Sequence, residues 1–213
     1  MRYYIADCHF FHEALNREMD HRGFASVEEM NEYMIKRWNE KVRNRDEVVI
    51  LGDLSMGNAE QTNALLDRLQ GKLFLIVGNH DNRYLRSKTF RKERFGWIYP
   101  YAELHDDGRK VVLSHYPIAC YNGQYLKNKK GEPRTYMLYG HVHDSHDERL
   151  IEQYQQMVEK TRIADRDGGT QSLSSHMINC FCMYSDYQPL SLDEWIALTK
   201  QRLIRCQNVE DSL

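Results

Sequence analysis

"LFLIVGNHDNRY", residues 73–84, is an apolar run that ends abruptly in polar residues. Residues 73–77 are all apolar, as is typical of a buried strand. Gly78 then breaks the run, and Asn79, His80 and Asp81 follow in succession. Their amide, imidazole and carboxylate groups can bind a metal ion or move a proton. We therefore interpret this stretch as a strand that holds one corner of a functional site.

Four further apolar runs end in the same way. They are "RYYIA" before Asp7 and His9, "EVVIL" before Gly52 and Asp53, "KVVLS" before His115, and "TYMLY" before Gly140, His141 and His143. Ligand sites in layered α/β proteins gather at the carboxyl ends of strands. Because scattered surface residues would not follow that placement, we expect the five strand ends to form one shared site.

Helical patterns separate several of these strands. Ser26 and Glu29 form a capping-box pattern before one helix, and Ser191 and Glu194 form another before a closing helix. Residues 59–70 are predicted to form a helix between the second and third strands. Strands that alternate with helices in this way indicate an α/β fold.

The second half of the chain adds different signals. The Asp-Asp-Gly stretch at 106–108 predicts a hairpin turn, so the sheet arrangement should be mixed. A more polar helix is predicted over residues 145–162. A chain of 213 residues suffices for one sizeable core. We therefore expect a single domain over residues 1–213, with residues 145–175 as a helical insertion.

Composition excludes several classes of protein. The net charge of -2 does not make the whole molecule attractive to nucleic acid. No apolar run approaches the ~18 residues of a membrane-spanning helix, and we expect no membrane partner. The five cysteines, an odd and unclustered set, do not resemble a disulfide framework, and Cys180 and Cys182 are expected to be buried thiols. These features favour a cytoplasmic location.

The predicted site collects metal-ligand chemistry. Its oxygen and nitrogen donors would be Asp7, His9, Asp53, Asn79, His115, His141 and His143. Asp7 and His9 lie two residues apart and would point the same way in an extended chain, as would His141 and His143. Seven donors are too many for one ion, but a shared carboxylate such as Asp53 could bridge two ions ~3.5–4 Å apart. Mixed carboxylate, amide and imidazole ligands indicate Mn, Fe, Zn or Ni, of which we favour Mn.

Charge indicates what such a site would bind. Two divalent ions bring four positive charges, from which Asp7, Asp53 and a bridging hydroxide remove three. The remaining positive charge suits an anionic oxygen of a phosphate ester. The ions would also lower the pKa of a bound water from ~15.7 toward ~7, which predicts a hydroxide nucleophile at neutral pH.

These blocks resemble the pattern of a known family. "ADCHF", "LGDLS", "VGNHD", "LSHYP" and "YGHVH", in this order, resemble the calcineurin-like metallophosphoesterase superfamily. The match spans residues 7–143, and the start of the chain is similar to the compact phosphoesterases of bacteria and phages. The resemblance implies an α/β/β/α sandwich with the metal site at the carboxyl ends of the strands. The chain lacks the extended motif of protein serine/threonine phosphatases, so protein dephosphorylation is not expected.

The resemblance also implies residue roles. One metal ion would be held by Asp7, His9, Asp53 and His143, and the other by Asp53, Asn79, His115 and His141. His80 would not bind metal, but would give a proton to the leaving group or stabilise the charged phosphate. Asp81 would orient the loop that carries both Asn79 and His80.

The substrate itself is less constrained. We expect a phosphate mono- or diester, with nucleotides and nucleic acids among the candidates, and the oligomeric state is not predicted. Arg83, His12 and Tyr116 are candidate substrate contacts. Two basic stretches, 83–94 and 127–134, could rim the site and attract a polyanion, although such runs are usually solvated surface. A nuclease and a non-catalytic scaffold on the same fold stay open as alternatives.

Overall fold

The computed structural model describes residues 1–164 and 167–210, with side chains described up to residue 204. Its strands are β1 (Arg2–Ile5), β2 (Glu47–Leu51), β3 (Lys72–Ile76), β4 (Phe95–Tyr99), β5 (Tyr101–Asp106), β6 (Arg109–Ser114), β7 (Thr135–Tyr139), β8 (Arg162–Ala164), β9 (Thr170–Ser172) and β10 (Met177–Asn179). Its α-helices are α1 (Val27–Lys41), α2 (Ala59–Arg68), α3 (Asn82–Leu85), α4 (His146–Lys160) and α5 (Leu192–Glu210). A π-helical turn covers Leu15–Met19, and 3₁₀ turns cover Lys92–Arg94 and Cys182–Ser185.

Two four-stranded sheets form the centre of the described structure. In the first sheet, β1, β2, β3 and β4 are parallel and lie in chain order. In the second, the order is β10-β7-β6-β5, where β10, β7 and β6 are parallel and β5 is antiparallel to β6. The turn at Asp107 and Gly108 joins β5 to β6, so the predicted hairpin and the predicted mixed sheet are both confirmed.

Successive side chains of the first sheet point alternately toward the helices and toward the second sheet. In β2, Val48 and Ile50 face the helical layer of α1 and α2, whereas Val49 and Leu51 face the second sheet. The far side of the second sheet packs against α4, where Tyr154 contacts an apolar cluster that includes Val112 and Met137. Each fully buried aliphatic side chain of this kind contributes roughly 1.5–3 kcal/mol. The resulting order of helix, sheet, sheet and helix confirms the predicted α/β/β/α sandwich.

The predicted helix starts are present with one difference in detail. At α5 the capping box is complete, because Ser191 N donates to Glu194 and Glu194 N donates to the Ser191 hydroxyl. At α1 the Ser26 hydroxyl accepts from Glu29 N, but the Glu29 carboxylate accepts from Ala25 N instead of from Ser26. Both arrangements satisfy backbone N–H groups that a helix N-terminus would otherwise leave unpaired.

The segment 145–175 is only partly helical. It consists of α4 followed by the antiparallel hairpin of β8 and β9. The predicted domain and insertion boundaries also include residues 165–166 and 211–213, which lie outside the described residues. The helical half of the segment packs against the second sheet, through Ile151 and Tyr154.

Glu148 connects α4 to that sheet. Its carboxylate, 4% exposed, accepts from the Tyr139 hydroxyl at 2.8 Å and from Asn179 Nδ2 at 3.0 Å. Arg202 lies 3.7 Å away. Burial raises the pKa of Glu148 to about 7, although these partners favour the charged form.

We expect Glu148→Gln to stabilise the protein more at pH 8 than at pH 5. The folded state holds the Glu148 proton up to about pH 7, whereas the unfolded chain releases it near 4.5. The free energy of unfolding therefore decreases as the pH rises through this window, by roughly 3 kcal/mol for this one group. The amide oxygen keeps the two hydrogen bonds without the charge. Calorimetric Tm values at both pH values measure the effect, with the exposed Glu159→Gln as control; equal Tm differences at pH 5 and pH 8 would contradict it.

Candidate metal centre

The seven predicted ligands converge where the strands of both sheets end. Six of them form two groups, Asp7 with His9 and His143, and Asp53 with His115 and His141. Within each group the possible ligand atoms all lie within 4.8 Å of one another. The chain thus gathers residues from five separate strand ends into one cleft between the sheets.

Two of the seven residues connect and complete these groups. Asp53 Oδ2 lies 3.6 Å from His9 Nε2 and 3.5 Å from His115 Nε2, so this carboxylate sits between the groups. Asn79 Oδ1 lies 2.9 Å from His115 Nε2 and 3.0 Å from His141 Nδ1. Each group can therefore offer four donors if Asp53 is shared.

The backbone at these strand ends differs from the extended form predicted from the spacing of the ligands. The angle φ is 54° at Asp7, 49° at His9, 52° at Asp53, 73° at His141 and 49° at His143. Left-handed conformations cost non-glycine residues roughly 1–3 kcal/mol each and cluster at functional sites. Asp7 and His9 share a site because the chain turns sharply at the strand end, and not because a strand alternates.

Glycines next to the turns allow the close approach of neighbouring ligands. A Cβ on Gly78 would lie 2.2 Å from Asp53 Oδ1, and a Cβ on Gly140 would lie 2.5 Å from Asp7 Oδ2. Contacts this short exclude any larger residue, because Asp53 N and Ala6 Cβ lie almost as close as the carboxylates, at 2.5 and 2.6 Å. Gly78 therefore makes room for a carboxylate from the neighbouring strand of its sheet, and Gly140 for one from the other sheet.

Asp81 organises two of the turns. Its fully buried carboxylate accepts hydrogen bonds from the backbone N–H groups of Gly78, Asp53 and Leu54 at 2.7–3.0 Å. The Tyr84 hydroxyl donates a fourth hydrogen bond at 2.7 Å. Asp81 therefore orients its own loop, as expected, and also the turn that follows β2.

Hydrogen bonds set the orientation of two histidine rings. His115 Nδ1 lies 2.9 Å from the Leu51 carbonyl oxygen, and His143 Nδ1 lies 2.8 Å from Asp20 Oδ1. Since both partners only accept, each Nδ1 carries the proton and donates it. In the neutral form of each ring, Nε2 would offer its lone pair to a cation in the ligand group, as is usual for metal-binding histidines.

Asp20 and Arg22, which support His143, were not predicted from the sequence. Arg22 donates to the Asp20 carboxylate through two nitrogens at 3.0 and 3.1 Å. The same fully buried guanidinium donates to the carbonyl oxygens of Asp7 and Cys8. In the sequence, "MDHRGF" is an ordinary charged loop, and nothing in its pattern indicates that Arg22 is buried.

The electrostatics of the cleft fit a cation site. Burial raises the pKa of Asp7 to about 6, although His143 and His115 oppose the effect. Burial acts the same way on Asp53, but His115, His9 and the His80 N–H outweigh it and lower the pKa to about 2. For His115, Asp53 and Asp7 outweigh burial and raise the pKa to about 9. A proton on His115 thus balances the negative charge of Asp7 and Asp53. A metal cation bound at this place would balance the same charge.

The ring nitrogens of His9 and His143 also indicate a cation site. His9 Nε2 and His143 Nε2 lie 3.2 Å apart. His9 Nδ1 is buried and, within the described part of the chain, has no hydrogen-bond partner. Imidazole, carboxylate and amide donors at this density fit two divalent cations in chemistry and in number.

The remaining predicted residues surround the ligand groups. The His80 side chain is 42% exposed, its ring centroid lies 5.4 Å from that of His9, and its backbone N–H donates to Asp53 Oδ1. The His12 ring also lies beside His9, at 5.6 Å, while its Nδ1 accepts from Leu15 N. Neither ring belongs to a ligand group.

Two further predicted contacts have exposed side chains. Tyr116 is exposed, and its ring centroid lies 4.5 Å from that of His141. Arg83 lies exposed on α3 and makes no side-chain hydrogen bond or ion pair with the residues that the structure describes. Both side chains are free to meet a substrate.

Fold and site together define a layered α/β protein with a metal-binding cleft. The model of the calcineurin-like phosphoesterase family matches residues 3–197, and the chain belongs to this family. Membership implies metal-dependent hydrolysis of phosphate esters. Among the described residues, no helix combines the length and apolar character needed to cross a membrane.

The chain is also similar to two sequence relatives and to one solved structure. The uncharacterized protein MJ1445 of Methanocaldococcus jannaschii is 31% identical over 209 residues, which cover 97% of this chain and 96% of the relative. The Gene 66 protein of Mycobacterium phage L5 is 28% identical over 167 residues, which cover 66% of this chain and 76% of the relative. The crystal structure of AQ665, a protein of unknown function from Aquifex aeolicus, shares the fold with a TM-score of 0.63 and 23% identity, over 93% of this chain and 98% of that one.

We expect Asp20→Asn to weaken metal binding in the group that contains His143. The amide cannot hold the His143 N–H as strongly, and loss of such a support typically costs 10–100-fold in metal affinity. Calorimetric titration with Mn²⁺ or Zn²⁺ should show one weakened site and one unchanged site. Asp107→Asn, in an exposed turn, is the matched control. Two unchanged affinities in a folded Asp20→Asn variant would show that Asp20 does not support the site.

Proposed function

We propose that this protein hydrolyses phosphate mono- or diesters at a centre of two divalent metal ions. The observation that carries the proposal is the position of Asp53, whose Oδ2 lies within 3.6 Å of a ligand nitrogen in each group. A shared carboxylate is the usual connection between paired catalytic metals. Mn is the favoured metal, and Fe, Zn and Ni suit the same donors.

The ligand groups prepare the cleft for an anionic substrate. Cations held there would lower the pKa of water from ~15.7 toward ~7 and so supply a nucleophile at neutral pH. Asp53 is kept ionised by His115 and His9, and the His141 N–H holds the Asp7 carboxylate at 2.9–3.0 Å. These side chains are therefore oriented before any substrate binds, which reduces the reorganisation needed during the reaction.

His80 is the proposed acid. Its backbone N–H is anchored to Asp53, while its partly exposed ring stands beside the ligand groups. An imidazole can carry a proton at neutral pH and donate it to a departing alkoxide. The His80 ring, whose Nε2 lies 3.9 Å from Asp53 Oδ2, is anchored beside the ligand groups and still partly exposed, which suits a group that must meet the leaving-group oxygen of the substrate.

Substrate contacts are proposed on three sides of the cleft. Arg83 would bind a phosphate oxygen, Tyr116 would pack against the organic part, and His12 would contact the ester beside His9. A non-catalytic scaffold has less support, because all seven ligand positions and His80 are occupied by suitable residues. The cytoplasmic location stays a prediction from the sequence.

Asp53→Asn should remove metal and activity together. The amide keeps an acceptor for the His80 N–H but cannot bridge two cations with full charge. The loss of kcat/KM should exceed the ~10–100-fold that follows loss of a hydrogen-bond partner of a ligand. Metal content per chain and hydrolysis of bis(p-nitrophenyl) phosphate measure the two effects. Asp7→Asn, as comparison, should mainly empty one group; full metal content and turnover in Asp53→Asn would refute the bridge.

His80→Asn should separate metal binding from proton transfer. The variant should keep both metals, yet lose ~10²–10⁴ in kcat with alkyl esters, whose leaving groups need a proton. Esters of p-nitrophenol need little protonation and should lose much less. Equal losses on both substrates would mean that His80 stabilises the phosphate charge, and no loss on either would remove His80 from the mechanism.

A further inference from the structure

The first basic stretch, residues 83–94, contains cations with two different roles. Arg91 pairs with Asp67 at 2.7 Å, and Arg94 donates to the carbonyl oxygens of Leu69 and Gly71 at 2.9 and 3.3 Å. These two arginines attach the stretch to α2 and to the loop that follows it. These structural contacts explain why both positions carry a positive charge, without any ligand.

The other cations have no such explanation. Arg86, Lys88 and Lys92 are exposed, and none has a side-chain hydrogen bond or an acidic partner within the part of the chain that the structure describes. All three line one open cleft of about 590 Å³. Although Glu93 follows Lys92 in the chain, among the described residues it forms no ion pair with any of the three, and unpaired positive charges of this kind attract a polyanion.

The same cleft has an apolar floor. Val77, Leu85 and Ile98 line it beneath the three cations, and we call these six residues together the basic cleft. A free phosphate or polyphosphate has no apolar part to cover such a floor. Nucleic acid has both parts, because phosphates alternate with sugars and with flat bases.

The basic cleft begins beside the proposed centre. Val77 directly precedes the Gly78–Asp81 turn, and α3, which follows that turn, is joined to it by the hydrogen bond from Arg83 N to the His80 carbonyl oxygen. A chain whose scissile phosphate lies near His80 could therefore continue along α3 into the cleft. Its next phosphates would meet the unpaired cations.

The second basic stretch does not share this position. Residues 127–134 precede β7, whose opposite, carboxyl end leads into the ligand residues His141 and His143. Lys127, Lys129 and Lys130 are exposed but lie at the far end of the strand from the site. The expectation that this stretch rims the site is therefore wrong, whereas for the first stretch it stays a prediction.

We propose that the basic cleft binds single-stranded nucleic acid next to the scissile phosphate, so that the esters hydrolysed are phosphodiesters of an oligonucleotide. This inference rests on the proposed function for its chemistry, but the binding of the strand does not depend on hydrolysis. Arg86, Lys88 and Lys92 contact phosphates, and Val77, Leu85 and Ile98 contact sugars and bases.

The first experiment compares two triple variants with equal loss of charge. One replaces Arg86, Lys88 and Lys92 by Ala, and the control replaces Lys127, Lys129 and Lys130 by Ala. The cleft variant should lose about tenfold in kcat/KM on a labelled single-stranded oligonucleotide at low salt, and nothing on bis(p-nitrophenyl) phosphate. Its slope of log(kcat/KM) against log[salt] should become less negative by about 2, since each phosphate contact contributes ~0.7. Equal effects in both variants would overturn the inference.

A binding measurement keeps the inference separate from the proposed chemistry. Fluorescence anisotropy of the same oligonucleotide, with His80→Asn as the parent protein, should show weaker binding only in the cleft variant. This result would stand even if the wild-type protein hydrolysed neither substrate, in which case the proposed function alone would fail. Unchanged oligonucleotide binding, or loss of binding to tripolyphosphate alone, would overturn the assignment to nucleic acid.

Discussion

One buried carboxylate holds the two strand ends at the centre of the site. Asp81 accepts from three backbone N–H groups and one hydroxyl, and so connects the turn after β2 with the turn after β3. Without it, three buried N–H groups would lose their partner, at roughly 1–3 kcal/mol each. Burial raises the pKa of Asp81, and its donors oppose that effect. The positions of Asp53 and Asn79 both depend on this residue.

A rigid sandwich allows such strained turns to persist. Left-handed residues are unfavourable in isolation, and the surrounding structure must hold them in place. Arg22 holds the Asp7 turn through two carbonyl oxygens, and Asp20 carries the same support to His143. The two glycines pack so tightly against the carboxylates that the strand ends fit in one arrangement. The site is therefore oriented in advance, as electrostatic catalysis requires.

Much of the architecture was accessible from local patterns. Apolar runs such as 73–77 indicate strands buried on both faces, and the sandwich buries β2 and β3 between a helical layer and a second sheet. The hairpin at 106–108 and the helix starts at Ser26 and Ser191 follow from short-range chemistry, so they could be predicted within a few residues. The segment 145–175 was harder, because short exposed strands such as β8 and β9 carry little apolar pattern.

The sequence by itself determined the five strands whose ends carry the site, the identity of the seven candidate ligands and the position of His80 beside them. Each of these depends on residues adjacent in the chain. Only the tertiary structure decided that Asp20 and Arg22 support His143, and that one basic stretch adjoins the cleft while the other lies a strand length away. Such contacts join residues far apart in sequence, and their geometry depends on how the two sheets pack. Local sequence patterns carry no information about that packing.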